Sequence, residues 1–321
     1  MRYFIYGAGA IGGTIGAHLH DNGFDTTLIA RGAHLAAMQE NGLRIDSGDD
    51  STMYAVKTAA HPSEIDFRDG DCVILTMKSQ DTSGALDDLA TAARGRDIAV
   101  VCAQNGVANE RMALRRFERV YGMLVILPAT YLEPGIVQAS SKGVVGVLDA
   151  GCYPSGCDDA IVQICAEIER GPFRARPDER VMGLKYAKLL GNLNNTLQAA
   201  IGDARAPDLS RMLIDEALAC YEAAGIEWAA DEHMAALRKG MTPAGGRQGS
   251  STWQSLARGA GSIESDYLNG EIVLLGRLHG VATPANSAMQ RIGRRLLSEG
   301  LAPGSMSVDE VMAEIAVGTP A

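Results

Sequence analysis

The chain has 321 residues, of which 46% are hydrophobic and 21% charged, a balance typical of a globular protein with room for two domains. Its formal net charge is −10 at pH 7, whereas general nucleic-acid binding needs clustered Lys and Arg to neutralise phosphates. No stretch approaches the roughly 18 uncharged apolar residues of a membrane-spanning helix. We therefore expect a soluble, cytoplasmic protein with no nucleic-acid or membrane partner, although a local basic pocket for a small anion remains compatible with this composition.

The six cysteines form no C-x-x-C pair, and no cluster of histidines lies near them: Cys72, Cys102, Cys152, Cys157, Cys165 and Cys220. This pattern predicts reduced thiols and no metal site. Cys152 and Cys157 are close in sequence, but spacing alone does not decide whether they pair.

The first half of the chain alternates between strand-like and helix-like segments. In chain order we predict strand 2–6, helix 8–20, strand 26–30, helix 33–41, strand 71–77, helix 82–94 and strand 98–103. Such alternation predicts an α/β fold with a parallel, doubly wound sheet.

The pattern changes after residue 119. Short strand-like runs at 121–127, 136–139 and 144–148 are separated by Pro and Gly, which favours a more antiparallel edge of the same sheet. A helix near 158–169 and a last strand within 172–177 follow, and only helices are predicted from 178 onward. We therefore place the domains at 1–177 and 178–321.

The motif Gly7-Ala8-Gly9-Ala10-Ile11-Gly12 is a G-x-G-x-x-G that directly follows a strand-like run and opens a helix. In a dinucleotide site, the first glycine allows the tight turn, the second lets the backbone approach the pyrophosphate, and the third lets the helix pack closely on the strand. The helix N-terminus then supplies amide donors for the phosphates. The alternative is a glycine-rich turn that binds no ligand.

The end of the second strand indicates which dinucleotide is bound. NAD sites usually carry an acid about twenty residues beyond the glycines, but no Asp or Glu lies between Thr26 and Gln39. Arg31 stands there instead, and a guanidinium suits a 2′-phosphate. The sequence thus predicts NADPH rather than NADH, the alternative being that Arg31 is an ordinary surface arginine.

Lys78 and Asn105 each follow a buried strand. Ligands of such sheets bind at the carboxyl ends of the strands, so we expect both side chains to face the nicotinamide half of the cofactor. The alternative for each is a solvated loop residue.

The first helix of the second domain carries an unusual polar stripe. Lys188 and Asn192 are four residues apart, and Asn195 lies one turn further, beside the leucines 189, 193 and 197. An ammonium can stabilise the negative charge that hydride transfer builds on a ketone oxygen and can donate the proton. The alternative is a solvated helix face that happens to carry a lysine.

Glu264 follows the segment Ser250-Ser251-Thr252-Trp253-Gln254, and we expect it in the first turn of the next helix. In that position a carboxylate would interact favourably with the helix dipole, which is a purely structural role. The functional alternative is that Glu264 orients Lys188 or binds the ribose of the cofactor.

Together these motifs resemble the ketopantoate reductase (2-dehydropantoate 2-reductase) family over nearly the whole chain. The resemblance is carried by the opening glycines, Lys78, Gln104-Asn105-Gly106, the spacing of Lys188 and Asn192, Ser251-Thr252-Trp253-Gln254 and the run from Glu264 to Gly270. The resemblance implies an NADPH-binding Rossmann domain followed by an all-helical domain. It implies that Lys188 is the general acid, that Glu264 orients the reacting groups, and that Asn192 and Ser251 hold the substrate. It also implies that Lys78 and Asn105 lie near nicotinamide and substrate.

Two departures from the family fall on the substrate side. Thr196 occupies the position of an asparagine that is expected to contact substrate, and the segment between Ser251 and Glu264 is one residue longer. The leading hypothesis is reduction of ketopantoate to pantoate in pantothenate biosynthesis. The alternatives are a paralogous NADPH reductase of another 2-oxo acid and a non-catalytic NADPH-binding regulator. The sequence leaves open whether the chain forms a homodimer.

Overall fold

The computed structural model describes residues 1–48, 50–243, 249–259 and 261–317. The chain divides into two compact units. The first comprises Met1–Asn105, Asn109–Leu184 and Asp231–Arg247, and the second comprises Gly106–Ala108, Lys185–Ala230 and Gln248–Ala321. The functional domains placed at 1–177 and 178–321 stay a prediction.

The strands within the described residues are β1 (Arg2–Tyr6), β2 (Asp25–Ile29), β3 (Leu43–Ser47), β4 (Asp50–Tyr54), β5 (Lys57–Ala59), β6 (Cys72–Leu75), β7 (Ala99–Cys102), β8 (Arg119–Met123), β9 (Ala129–Glu133), β10 (Ile136–Ala139), β11 (Ser141–Gly143), β12 (Gly146–Val147), β13 (Ala150–Cys152), β14 (Phe173–Arg174) and β15 (Met241–Pro243). The helices are α1 (Ala10–Asp21), α2 (Gly32–Asn41), α3 (Thr82–Ala93), α4 (Asn109–Leu114), α5 (Asp159–Ile168), α6 (Val181–Asn192), α7 (Asn194–Ile201), α8 (Pro207–Ala224), α9 (Asp231–Leu237), α10 (Ser251–Ala257), α11 (Asn269–His279), α12 (Pro284–Ser298) and α13 (Val308–Val317).

The main sheet of the first unit has the strand order β13-β8-β7-β6-β1-β2-β5. All neighbours are parallel except β13, which is antiparallel to β8. Strands β6 and β7 are buried at every residue, as expected of central strands covered on both faces. The chain runs from β1 to β2 on one side and returns to β6 on the other, so the order reverses at β1. The predicted doubly wound α/β fold is confirmed, and this reversal is where such sheets bind ligands.

A second sheet, with the order β4-β3-β10-β9, was not expected. The prediction that residues 136–139 and 144–148 extend the main sheet is wrong. Strand β12 pairs with β14 in a separate two-stranded sheet, and β10 pairs parallel with β3 and antiparallel with β9. Helix α1 lies against this sheet as well, since a Cβ on Gly13 would be 3.2 Å from Leu43 and 3.4 Å from Val137. The glycine-bearing helix therefore packs against strands of both sheets.

One short strand interrupts the helices expected after residue 178. Strand β15 pairs antiparallel with β11, and both belong to the first unit. The described residues of the second unit form most of α6 together with α7, α8, α10, α11, α12 and α13. The helical character of the C-terminal region is thus confirmed, with β15 as the exception to the expectation of helices alone.

The second unit is held together by a network of buried amides. Asn269 Nδ2 donates to the Leu193 carbonyl and to Asn286 Oδ1, both at 3.0 Å. Asn286 Nδ2 in turn donates to the Leu213 carbonyl at 3.1 Å and to Glu216 at 2.8 Å. Both asparagines are fully buried, so these bonds satisfy groups that water does not reach. Because Leu193 lies between α6 and α7, the network fixes the junction of those two helices.

Replacing Asn269 by Leu is expected to lower the free energy of unfolding by about 3 kcal/mol, since each buried polar group left without a partner costs about 1–3 kcal/mol. Urea titration followed by circular dichroism measures the change. Leu278→Asn on the same helix is the control, because Leu278 is 63% exposed and its replacement should leave stability within about 0.5 kcal/mol. Equal stability of the two variants would contradict the structural role of the network.

Candidate active site

The glycine motif forms a loop that is closed toward the protein and open on its outer side. Gly7 has a φ of +107°, and a Cβ there would be 2.7 Å from the Met77 backbone nitrogen. A Cβ on Gly12 would overlap the Gly7 carbonyl and the Thr76 hydroxyl, which donates to that carbonyl at 2.6 Å. A Cβ on Gly9 would meet nothing within 4 Å. These residues fit a dinucleotide pyrophosphate, which would approach at Gly9 and meet the first-turn amides of α1.

A buried hydrogen-bond network fixes the backbone after β6 and β7. Gln104 Nε2 donates to the Met77 carbonyl at 2.9 Å and to the Thr82 hydroxyl at 2.7 Å. The Thr82 hydroxyl donates to Asn109 Oδ1 at 2.9 Å, and Asn109 Nδ2 donates to the Asn105 carbonyl at 3.1 Å.

Lys78 and Asn105 are both partly buried, and Lys78 precedes the short 3-10 helix Ser79–Asp81. Because they follow the ends of β6 and β7, both lie at the carboxyl edge of the sheet, as predicted. Neighbouring side chains hold the backbone there in place.

Arg31 lies at the start of α2, and its side chain is 89% exposed. Its Nη2 is 4.0 Å from Asp81 Oδ1, on a side chain that is itself 45% exposed. An exposed pair at this distance is weak, so the guanidinium is available to an anionic ligand. Asp81 was missed in the sequence because it follows β6, whereas Arg31 follows β2; the fold places those two strands on either side of β1.

Lys188 and Asn192 lie four residues apart on α6, as predicted. The adjacent apolar stripe is also confirmed, since Leu189, Leu193 and Leu197 are buried. Lys188 is partly buried. Asn192 Nδ2 is buried and donates to no acceptor among the residues that the structure describes. A buried amide without a partner is costly, so this position favours a ligand with an acceptor oxygen.

Ser251 and Asn195 lie together in the second unit. Asn195 Nδ2 donates to Ser251 Oγ at 3.4 Å, and Ser250 Oγ donates to the Asn195 carbonyl at 3.1 Å. Ser250 also caps α10 by accepting from the Trp253 amide, which leaves Ser251 as the first residue of that helix.

Thr196 is fully buried, and its hydroxyl donates to Asn269 Oδ1 at 3.4 Å. It therefore contributes to the network that fixes the junction of α6 and α7, while its role in binding substrate stays a prediction.

Glu264 does not lie in the first turn of a helix, so that expectation is wrong. Helix α11 begins only at Asn269, and Glu264 opens the preceding turn, in which its carbonyl accepts from the amides of Tyr267 and Leu268, each at 2.9 Å. The side chain of Glu264 is nonetheless buried, which is rare for a carboxylate. A helix-dipole role at α11 is thus removed, while the roles in orienting Lys188 or binding ribose stay predictions.

Sequence reasoning also missed Lys185, which is 3% exposed and lies one turn before Lys188 on α6. Buried lysines are rare, and the only signal available was its spacing of three residues from Lys188.

All six cysteines are free thiols, so Cys152 and Cys157 are not joined. Burial raises the pKa of Cys165 to about 12 and that of Cys220 to about 11. Among the described residues, no cluster of three or more His, Cys, Asp or Glu is arranged to hold a metal ion. The helices of the described ranges are all too short or too polar to cross a bilayer.

The reversal of strand order at β1 and the glycine loop beside it define a Rossmann-type, dinucleotide-binding class of protein. Residues 3–150 match the family model described as Ketopantoate reductase PanE/ApbA. Residues 181–296 match the model described as Ketopantoate reductase PanE/ApbA C terminal. The chain belongs to the ketopantoate reductase family, as the resemblance indicated, and is an oxidoreductase of the kind that acts on a CH–OH group.

Among curated relatives, the 2-dehydropantoate 2-reductase of Mesorhizobium japonicum is 30% identical over 93% of this chain and 98% of its own length. The enzyme of the same name from Pyrococcus horikoshii is 33% identical, and the match spans 60% of this chain and 61% of that protein.

Among solved structures, a PanE/ApbA family ketopantoate reductase from Ralstonia eutropha JMP134 superposes with a TM-score of 0.78 at 28% identity, covering 94% of this chain and 99% of that one. D-mandelate dehydrogenase with NADH and anilino(oxo)acetate gives a TM-score of 0.81 at 22% identity, with the same coverage. The latter likeness shows the fold alone.

Two glycine variants separate packing from ligand approach in the loop. Gly12→Ala is expected to lower the free energy of unfolding by about 1–3 kcal/mol, because its Cβ overlaps fixed atoms. Gly9→Ala should leave thermal stability nearly unchanged, since its Cβ meets no other atom of the protein. It should weaken binding of NADPH and NADH about tenfold, because the added Cβ would overlap the pyrophosphate. Thermal unfolding and nucleotide fluorescence titration check both, and unchanged affinity of Gly9→Ala would contradict the placement of the pyrophosphate.

Proposed function

We propose that the chain reduces a 2-oxo acid to the corresponding 2-hydroxy acid with NADPH, and that the substrate is 2-dehydropantoate (ketopantoate), which becomes pantoate in pantothenate biosynthesis. The observation that carries the proposal is the shared face of Lys188 and Asn192 on α6. It offers an ammonium group one turn from a buried amide donor that has no acceptor among the described residues. A 2-oxo acid presents a keto oxygen and a carboxylate on adjacent carbons, which suits two such donors.

The residues of the first unit fit a nicotinamide dinucleotide. Gly7, Ala8, Gly9, Ala10, Ile11 and Gly12 would hold the pyrophosphate, because the loop is open at Gly9. Arg31 would bind the 2′-phosphate, and Lys78 and Asn105 would face the nicotinamide half. When bound, the reduced cofactor supplies a hydride to the keto carbon of the substrate.

Lys188 is proposed as the general acid. As the keto carbon accepts hydride, negative charge develops on the keto oxygen, and an ammonium group stabilises this charge and donates the proton. Glu264 is proposed to orient Lys188 or to bind the ribose. Asn105, Asn192, Thr196 and Ser251 are proposed to hold the substrate; their neutral groups add no charge that would repel its carboxylate.

Reduction of a different 2-oxo acid is the second candidate, and Thr196 favours it. Where an asparagine is expected, this chain has a hydroxyl already engaged with Asn269, so the substrate side differs from the family pattern.

A panel of 2-oxo acids followed by NADPH absorbance tests both candidates. The highest kcat/KM with ketopantoate supports the first, and preference for another acid selects the second. Turnover of none would indicate a non-catalytic NADPH-binding regulator, which the presence of Lys188 and Glu264 argues against. The homodimer and the cytoplasmic location stay predictions.

Cofactor preference is tested at Arg31 and its neighbour Asp81. Arg31→Ala should raise the KM for NADPH and leave that for NADH nearly unchanged, because only NADPH carries the 2′-phosphate. Asp81→Asn should lower the KM for NADPH by up to about fivefold, since an exposed pair contributes about 0.2–1 kcal/mol. Initial rates with both cofactors measure this, and an unchanged NADPH-to-NADH ratio in both variants would exclude Arg31 as the 2′-phosphate ligand.

The general acid is tested with Lys188→Gln. Loss of the ammonium is expected to reduce kcat by about 10²–10⁴-fold while the affinity for NADPH stays close to that of the unchanged chain. Lys239→Gln is the control, because Lys239 is an exposed lysine of the first unit, and it should keep full kcat. Unchanged turnover in Lys188→Gln would remove this mechanism.

A further inference from the structure

His34, on α2, engages both of its ring nitrogens with backbone groups. Nε2 lies 2.6 Å from the Ala8 carbonyl, and Nδ1 accepts from the Gly135 amide at 2.9 Å. A carbonyl oxygen only accepts and an amide N–H only donates. The imidazole must therefore be the neutral tautomer with its proton on Nε2, and this single side chain satisfies two backbone groups that lie far apart in sequence.

The two backbone groups belong to different parts of the first unit. Ala8 is the second residue of the glycine motif, and its carbonyl shares a peptide group with the Gly9 amide. The Gly9 amide donates to the Gly7 carbonyl at 2.8 Å, and the bond to His34 holds the carbonyl side of the same peptide. Gly135 forms the turn between β9 and β10 with a φ of +82°, and its carbonyl accepts from the Arg44 amide of β3 at 2.8 Å. His34 thus ties the glycine loop to the second sheet.

We propose that His34 is a positioning residue for dinucleotide binding: its neutral ring ties the Ala8–Gly9 peptide, in the orientation that receives the pyrophosphate, to the Gly135 turn. Protonation of Nδ1 breaks the Gly135 half of this tie, while Nε2 keeps its bond to Ala8. The proposal rests on the proposed binding of a nicotinamide dinucleotide at the glycine loop. A proton on Nδ1 would face the Gly135 N–H, so the tie to the second sheet would be replaced by two opposed donors.

The surroundings of the ring favour the neutral form. Burial lowers the pKa of His34 below its ordinary value of 6.5, and the bond to Ala8 opposes this only in part. The ring packs edge-to-face on Tyr131 of β9, with 4.9 Å between centroids. The titratable and charged groups on the elements around it are Tyr131 and Glu133 of β9, Arg44 and Asp46 of β3, Glu40 of α2 and its N-cap Arg31, and His18, His20 and Asp21 of α1.

The lowered pKa sets the direction of the pH effect. Between 6.5 and the lowered pKa the unfolded chain takes up a proton before the folded chain does, so the contribution of His34 to stability is full above 6.5 and declines as the pH falls through this window. Below the lowered pKa the folded protein is itself protonated at Nδ1. Dinucleotide affinity is expected to fall there as well.

Two substitutions divide the functions of the ring. The amide of His34→Gln carries one acceptor beside its donors, so it can replace the neutral ring toward both Ala8 and Gly135 without titrating. The shorter side chain of His34→Asn can still accept from Gly135 but not reach Ala8. Affinity for NAD⁺ and NADP⁺ is measured by calorimetry from pH 8 to pH 5; NAD⁺ has no 2′-phosphate, so its profile is free of phosphate titration. His279→Gln is the control, because His279 is an exposed histidine of the second unit.

At pH 8 we expect His34→Gln to bind NAD⁺ within about twofold of the unchanged chain, and His34→Asn to bind it about three- to tenfold more weakly, the range of one hydrogen bond. The unchanged chain and His279→Gln should lose affinity as the pH approaches 5, and both His34 variants should lose this acid dependence. Equal NAD⁺ affinity of all four proteins at pH 8, or the same acid profile in His34→Gln and the unchanged chain, would overturn the proposal. Failure of the unchanged chain to bind either nucleotide would instead overturn the proposed function on which it rests.

Discussion

The first unit depends on how closely α1 approaches the sheet. Side chains are absent at Gly12 and Gly16. A Cβ on Gly12 would overlap the Gly7 carbonyl and Thr76, and a Cβ on Gly16 would overlap Leu28. On its other side the same helix places Gly13 against Leu43 and Val137. Without this contact the helix would stand away from β1, and its first-turn amides would no longer lie beside the open face at Gly9. The geometry that suits the loop to a phosphate is therefore a consequence of packing, as much as of the glycine motif itself.

Each unit holds its candidate reactive residues with neutral, buried amides. In the first unit Gln104 and Asn109 fix the backbone beside Lys78 and Asn105. In the second, Asn269 holds the carbonyl of Leu193, the residue that follows Asn192. Amides can donate and accept at once, so a chain of them satisfies several backbone groups. This arrangement fixes the backbone geometry near the proposed donors.

The sequence contained enough to predict the doubly wound sheet and the glycine loop, because strands such as β6 and β7 are continuously apolar and the motif lies at a strand end. It did not predict the second sheet, because β4 is polar and almost fully exposed and reads as a loop until its pairing with β3 is known. Asp81 and Arg31 meet only because the strand order reverses at β1. The contacts of His34 could not be predicted for another reason. Its partners are a backbone carbonyl and a backbone amide, and backbone groups leave no signal in the amino-acid sequence.

The net charge of −10 raises a physical question, since the proposed cofactor and substrate are both anions. Charges beyond about 8 Å are largely screened at physiological ionic strength, so the local donors decide whether an anion binds. In the first unit the proposed donors are backbone amides at α1 and the exposed guanidinium of Arg31, and in the second they are Lys188 and the Asn192 amide. The α1 amides and the Asn192 amide are neutral groups held in place by the fold, and neutral donors discriminate by position rather than by long-range attraction. An acidic protein can for this reason bind anions selectively, provided that the backbone around the donors stays in place. The buried amides hold that backbone, and His34 is proposed to do the same at the glycine loop.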